Sequence, residues 1–181
     1  MSANRDSEPT RTGHPADKLE QALVAAFRES ALPGENTGFD KKACEEAARY
    51  TLLCAQERQG SEASLLLESV SISQNHRHLR LAIVNDDMPF LVDSVCATIG
   101  GFGLTIERLI HPVVAVRRDA KGQLVEIAEQ ATSGDKCESI IYIELDEIAD
   151  RAGRKCRCAT RRGRGDLAAL VPRPEPYIAG P

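Results

Sequence analysis

From Leu79 the chain alternates, with Leu79, Leu81 and Ile83 facing one way and Arg80, Ala82 and Val84 the other. This is the period of two expected of a β-strand with one well-buried face. Asn85, Asp86 and Asp87 break the pattern. Leu91, Val92, Val95 and Ile99 then recur at helical spacing, with Asp93 and Ser94 on the other side, which predicts an amphipathic helix. Pro89 suits its first turn, where a missing N–H would have had no intrahelical partner, and the aspartates ahead of it complement the positive end of the helix dipole. Gly100, Gly101 and Gly103 are expected to supply the positive-φ positions that stop the helix and turn the chain back. Leu104, Ile106 and Ile110 alternate with Thr105, Glu107 and Leu109 as a second strand. His111-Pro112 interrupts it, and because proline cannot donate to a ladder this point lies on an edge, at a bulge or at a break. The stretch from Leu79 to Arg117 is therefore a strand–helix–strand unit.

The flanks extend this unit on both sides. Pro15 and Asp17 open a helix with Leu19, Leu23, Ala26 and Phe27 on one face, ended by Pro33-Gly34. Asp40 is placed to N-cap a second helix, with Phe39 and Cys44 set for a hydrophobic staple, Ala43, Ala47, Tyr50 and Cys54 on one face, and Gly60 at its close. Residues 15–60 thus read as a helical hairpin that covers a sheet or docks on another part of a parent protein. Leu66, Val70 and Ile72 alternate with Ser69, Ser71 and Ser73, and the short polar link SQNHRH predicts an antiparallel hairpin with Leu79–Val84. Beyond His111-Pro112, Val113 to Arg117 continues extended, Asp119 to Gly122 is a turn, and Leu124 to Ala128 returns as the second arm of a hairpin. A loop is expected from Glu129 to Cys137. Ile141, Ile143 and Leu145 then alternate with Ile140, Tyr142 and Glu144 as a buried strand, and Asp146 caps a helix begun by Glu147-Ile148-Ala149-Asp150.

A chain of 181 residues supports one domain with appendages. Tryptophan is absent and aromatic residues make up 4%, so the core must be built from Leu, Ile, Val and Ala. No run reaches membrane-spanning length, and the polar start MSANRDSEPTRTGHPADK has no signal-peptide stretch, which predicts a cytoplasmic protein with no membrane partner. Residues 1–14 are expected to be disordered. Six cysteines without a secretion signal read as free, mostly buried thiols. The net charge of −4 hides an asymmetry: from Arg151 onward eight Lys/Arg stand against two acids, which leaves residues 1 to 150 at −10. An acidic body disfavours nucleic acid as a partner. The tail, residues 151–181, is rich in Arg, Ala, Gly and Pro, the composition that GC-rich DNA yields in a shifted frame; it reads as a basic low-complexity tail, out of frame, against the alternative of a natural disordered tail.

The string NDDMPFLVDS, followed by IHPVVAVRRDAKGQL and ESIIYIELDEI, resembles the N-terminal region of the large bacterial NAD-specific glutamate dehydrogenases, over roughly Leu65 to Asp150. The resemblance implies an ACT-like regulatory domain, at 65–150, far ahead of a catalytic domain in a very long chain. It implies an α+β fold: a ferredoxin-like, ACT-like antiparallel sheet with helices on one face, here preceded by the helical hairpin and followed by a disordered C-terminal tail. The predicted β-α-β-β-α order matches that plan with its last strand missing, and the Leu66–Ile72 strand is expected to take the vacant edge beside Leu79–Val84. For the full-length family it implies oxidation of L-glutamate to 2-oxoglutarate and ammonia with NAD. The catalytic lysine and dinucleotide domain of that family would lie beyond residue 181, so this chain is expected to be inactive alone, with no cofactor of its own. Its expected partners are the remainder of the dehydrogenase and further copies in a homo-oligomer. A free-standing ACT-type amino-acid sensor or dimerisation protein is the alternative.

The candidate site is the turn Asn85, Asp86, Asp87 and Pro89 with Asp93. ACT domains usually meet an amino-acid effector at this turn, so the resemblance implies an effector or interface site. The residues themselves favour a structural reading in which Asp86 and Asp87 cap the helix and Asp93 is solvated. Many ligand-binding ACT domains carry a glycine in this turn, and NDDMP has none. Other motifs carry less. Cys156-x-Cys158 lacks a second ligand pair for zinc, and His76-x-His78 falls in a turn. The glycines at 100, 101 and 103 follow a helix where a dinucleotide fingerprint must open one. RRGRG at 161–165 has no aromatic residues interleaved to stack bases.

Overall fold

The computed structural model describes residues 15–31, 38–71, 77–128 and 135–146. The elements run α1 (Pro15–Ser30), α2 (Lys41–Ala55), β1 (Ser64–Ser71), β2 (Arg77–Asp86), α3 (Leu91–Gly101), β3 (Thr105–Ile110), β4 (Val113–Arg118), β5 (Leu124–Ala128) and β6 (Lys136–Asp146). The expectations for residues 1–14, Pro33-Gly34, Ile72, His76, Glu129 to Gly134, the helix from Glu147 and the tail with Cys156 and Cys158 fall outside the described residues.

β6 is the spine of a six-stranded antiparallel sheet ordered β1-β2-β6-β4-β5. Along one side it pairs with β2, from His78↔Asp146 to Asp86↔Glu138. Along the other it pairs first with β4 and then with β3, which lie end to end. His111-Pro112 is the break between them. The carbonyl of Pro112 still accepts from the Ile140 amide at 3.0 Å, so the ladder runs on past a residue that cannot donate. β1 pairs antiparallel with β2 from Ser64↔Val84 to Ser71↔Arg77 and occupies the edge where a ferredoxin-like fold would place its last strand. This is an ACT-like α+β fold.

Both faces of the sheet are covered. Leu79, Leu81, Ile83, Ile141, Ile143 and Leu145 pack against Leu91, Val95 and Ile99 of α3 on one face. Ala82, Val84, Ile140 and Tyr142 pack against Leu23 and Phe27 of α1 and Ala47, Tyr50 and Cys54 of α2 on the other. The hairpin therefore covers the sheet, and β2 is buried on both sides where its alternation suggested one. The arginine among its even residues is accommodated by stacking: Arg80 lies 4.0 Å from the centre of the Tyr50 ring, whose hydroxyl donates to the carbonyls of Leu66 at 2.8 Å and Arg80 at 3.0 Å. Tyr142 stands at the middle of this core, with Phe27, Phe39 and Tyr50 rings 6.1 to 6.5 Å away.

Several local expectations hold and others are corrected. Asp40 caps α2, its side chain accepting from the Ala43 amide at 2.8 Å, and Phe39 and Cys44 are both buried beside it. α2 ends at Ala55, before Gly60. Gly100 and Gly101 lie inside α3, and Gly103 alone of the three has positive φ, at 70°. The Gly103 amide donates to Gly100 O and the Leu104 amide to Ile99 O, the bonding of a Schellman cap, with Ile99 and Leu104 in the same apolar cluster. In β3 the register slips between Ile106 and Arg108. This bulge puts Ile106 and Leu109 on the α3 face and Ile110 on the hairpin face, so Ile106 and Ile110 do not share a side. β6 starts at Lys136, inside the stretch expected to be loop, and Asp146 is its last residue.

The turn after β4 docks on the exit of α2. Gly122 O accepts from the Arg58 amide at 3.0 Å, Gln56 O accepts from the Leu124 amide at 2.9 Å, and Glu57 bridges Gln123. Gly122 has φ 81°, and a Cβ there would overlap the Arg58 carbonyl. Gly122→Ala is expected to lower unfolding stability by about 2 kcal/mol or more, read by urea denaturation, because strain and overlap act together; an unchanged midpoint would remove this close approach from the account.

Candidate functional site

The NDDMP turn is built by the end of β2 and the start of α3. Asn85 and Asp86 are the last residues of the strand, Asp87 to Phe90 form the turn, and Asp93 sits exposed in the first helical turn. Neither Asp86 nor Asp87 caps α3. The N-cap is Phe90, in the left-handed region at φ 62° with no side-chain hydrogen bond, and Pro89 stands one residue before it. The capping reading is therefore corrected. Both aspartates have partners in the sheet, which draws their carboxylates away from the helix end.

Asp86 faces the hairpin side and lies 2.7 Å from the Arg58 guanidinium and 2.8 Å from the Lys136 ammonium. The same Arg58 nitrogen lies 2.6 Å from Glu138, which has no exposed surface. Arg118 grips Glu138 from the other side with two bonds, Nε to Oε1 at 2.9 Å and a terminal nitrogen to Oε2 at 2.7 Å. Its remaining nitrogen donates to Ala55 O and Gly122 O, both at 2.9 Å, while Arg58 Nε donates to Glu62 O at 2.7 Å. Three cations and two carboxylates from α2's exit, β2, β4 and β6 thus meet in one network, in which Arg118 is bonded through all three nitrogens and Arg58 through Nε and one terminal nitrogen. Burial works against ionisation of Glu138, but the bonds and charges of Arg118 and Arg58 outweigh it and hold its carboxyl below the ordinary range. For Asp86, too, partial burial is outweighed by Lys136 and Arg58, and its pKa is lowered.

The α3 side of the turn is arranged differently. Asp87 accepts from the Ser139 hydroxyl at 2.8 Å, and its amide donates to Cys137 O at 3.3 Å. Asn85 is buried and its amide nitrogen lies 3.4 Å from the Met88 sulfur. His111 is half-buried, its Nε2 has no hydrogen-bond partner, and burial lowers its pKa against the opposing charge of Asp87. Among the described residues no group of three or more His, Cys, Asp or Glu side chains could hold a metal ion, and no helix is long and apolar enough to cross a membrane. Cys44, Cys54, Cys96 and Cys137 are free, and burial pushes the Cys54 thiol up to about 12, so that at neutral pH it is a packed, protonated group.

The sequence reading brought the turn residues together but missed what holds them. Arg58 lies 80 residues from Glu138 and carries no local motif. Glu138 was findable: it stands two residues before Ile140 on the inward face of β6, where a lone acid requires a partner. Arg118 belongs to the RRDAKG string that marked the family resemblance, and its role is now visible as the second clamp on Glu138.

Residues 25–156 match the family described as glutamate dehydrogenase, ACT1 domain. The chain belongs to this family. It is 39% identical over 74 residues to the NAD-specific glutamate dehydrogenase of Pseudomonas aeruginosa, which covers 40% of this chain and 5% of that relative. It is 36% identical over 77 residues to the enzyme of the same description from Halomonas elongata, covering 41% of this chain and 5% of the relative. The chain thus spans a small fraction of the length of the curated relatives it matches. No solved structure matches.

Both network carboxyls bind protons less readily folded than unfolded, so the stability they contribute is complete above the ordinary values of 4.5 for Glu138 and 3.8 for Asp86 and is lost as the pH falls through the lowered folded values. Glu138→Gln is expected to lose about 3–5 kcal/mol at neutral pH, since it leaves Arg118 buried without a countercharge and Arg58 with Asp86 alone. Its stability should also fall less steeply than that of the unaltered chain between roughly pH 5 and pH 3, as followed by denaturation at each pH. Equal slopes in the two proteins would show that Glu138 does not govern the acid limb.

Proposed function

We propose that this chain is an N-terminal regulatory and assembly segment of an NAD-specific glutamate dehydrogenase, in an enzyme that converts L-glutamate and NAD to 2-oxoglutarate, ammonia and NADH. The match to the ACT1 domain over residues 25–156 carries this reading, together with the similarity to NAD-specific glutamate dehydrogenases about twenty times the length matched. In this reading the catalytic groups and the NAD site belong to the rest of the enzyme. We read residues 151–181 as out of frame with that enzyme, and the DNA beyond Arg151 is expected to continue into a dehydrogenase in another frame.

The state of the turn favours an interface over an effector pocket. Asn85 is buried, and Asp86 is held by Arg58 and Lys136, so neither offers a free group to an amino acid. Asp87, Pro89 and Asp93 are exposed and available to a neighbouring domain. The network would transmit a shift at the turn to the α2 exit and the hairpin, biasing the distant active site only insofar as the two states of the enzyme bind this segment with different affinity.

The purified chain is expected to produce no NADH from L-glutamate and NAD, and to show no saturable amino-acid binding by calorimetry. Added to the dehydrogenase polypeptide of a relative made without its matched segment, it is expected to change the rate or the oligomeric state. No change in either property would reject the regulatory and assembly reading, and saturable binding of one amino acid would make the chain a free-standing sensor instead.

A further inference from the structure

Nε2 of His111 is buried and has no hydrogen-bond partner. A buried polar atom without a partner costs free energy in every state that keeps it so, and such atoms are rare enough to call for a cause. His111 stands at the break in the sheet. β3 ends where Ile110 pairs with Tyr142, β4 begins where Val113 pairs with Ser139, and between them Pro112 O accepts from the Ile140 amide. The imidazole therefore lies beside the end of β6 that holds the NDDMP turn. There the Ser139 hydroxyl donates to Asp87 at 2.8 Å, and the Asp87 amide donates to Cys137 O at a longer 3.3 Å. Both bonds tie the turn to β6. Among the described residues, Asp87 is the charge that acts on His111. From β6, Ser139 and, by alternation, Cys137 are turned to the same side, while Glu138 is turned to the hairpin side and engaged by Arg58 and Arg118. At the end of β2, Asn85 is uncharged and Asp86 is held by Arg58 and Lys136. Asp93 of α3 is exposed.

We propose that His111 is a proton-operated switch on the NDDMP turn: when the imidazole gains a proton, Asp87 leaves the Ser139 hydroxyl for the imidazolium, and the turn shifts against β6. A neutral imidazole donates from one nitrogen, a protonated one from both, so the proton gives the orphaned side of the ring a use. Asp87 is the anion at hand, and a bond between two charged groups is stronger than the one it receives from a neutral hydroxyl. Burial opposes the charge and holds the His111 pKa below 6.5 against the pull of Asp87, so at neutral pH the ring is uncharged and Asp87 stays with Ser139. The unfolded chain then takes the proton first: His111 costs no stability above 6.5, and costs it progressively as the pH falls from there to the lowered folded value. The switch belongs to the turn itself and does not depend on the reading of the chain as an assembly segment.

The test is an NMR titration of the 181-residue chain from about pH 8 to about pH 5, with the His111 imidazole told apart from those of His14, His76 and His78 by its loss in His111→Gln. The His111 ring is expected to titrate with a midpoint below 6.5, and the Asp87 and Ser139 amides to shift with that same midpoint. His111→Gln, which keeps a polar side chain but cannot take a proton, should remove both amide shifts. Asp87→Asn should lower the imidazole midpoint by roughly 0.5 pH unit or more, because the proton loses its anion. Ser139→Ala should raise it, because Asp87 is freed from its neutral partner; a histidine that merely packs at the break would be moved by neither change. Amide shifts at Asp87 and Ser139 that persist in His111→Gln overturn the switch. An imidazole midpoint that is the same in Asp87→Asn and Ser139→Ala as in the unaltered chain overturns it too. Both of these variants keep the histidine, so they decide the matter even where His111→Gln fails to fold.

Discussion

Glu138 holds its charge at the centre of the molecule with no exposed surface, clamped between Arg58 and Arg118, and the three-dimensional arrangement of the chain hangs on that arrangement. Each arginine arrives from a different place: Arg58 from the exit of α2, Arg118 from the end of β4. Together they join the helical hairpin, the β4–β5 turn and the spine of the sheet at one point. A buried ion pair of this kind gains little net stability over a well-packed apolar alternative, but losing one partner leaves an uncompensated charge, so it specifies where the hairpin sits. Gly122 serves the same junction, since only a residue without a Cβ lets the turn come up against the Arg58 backbone.

With the hairpin fixed there, the sheet becomes a layer buried on both faces. That explains β6, which is apolar on consecutive positions from Ile140 to Ile143 where a sheet with one wet face would alternate. It also explains Tyr50 and Arg80, which pair through ring and guanidinium so that a strand residue on the hairpin side can keep its charge against a core. β1 enters ahead of the βαβ unit and closes the free edge of β2, where a ferredoxin-like fold uses its final strand. An ACT-like sheet is thus completed within the described residues by a strand from the opposite end of the sequence.

The same junction reaches the family's signature turn through Asp86, which Arg58 shares with Glu138. Asp86 is therefore committed inward, while Phe90, four residues on, is pushed outward in a backbone conformation that few side chains adopt. The turn is tied to the hairpin side through Asp86 and to β6 through Asp87, while Pro89 and Phe90 stand exposed.

Periodicity and end signals made much of this legible from the chain alone. The alternation of β2 and β6, the apolar stripe of α3, the Asp40 cap, the β1–β2 hairpin and the break at His111-Pro112 all follow from interactions between residues a few positions apart, and the strings NDDMPFLVDS and RRDAKG carried the family. What local pattern could not supply was the destination of a charge. Aspartates before a helix look like caps, because capping is the nearest available interaction; Asp86 and Asp87 instead found Arg58, Lys136 and Ser139 across the sheet. The bulge that divides Ile106 from Ile110, the covering of the second face of β2 and the left-handed Phe90 likewise depend on which strand or helix lies alongside. The sequence by itself determined the elements and their family, through short-range sterics and hydrophobic period. The tertiary structure alone decided which polar side chains share a site, because partners as distant along the chain as Arg58 and Glu138 meet only once the sheet and hairpin have closed on each other.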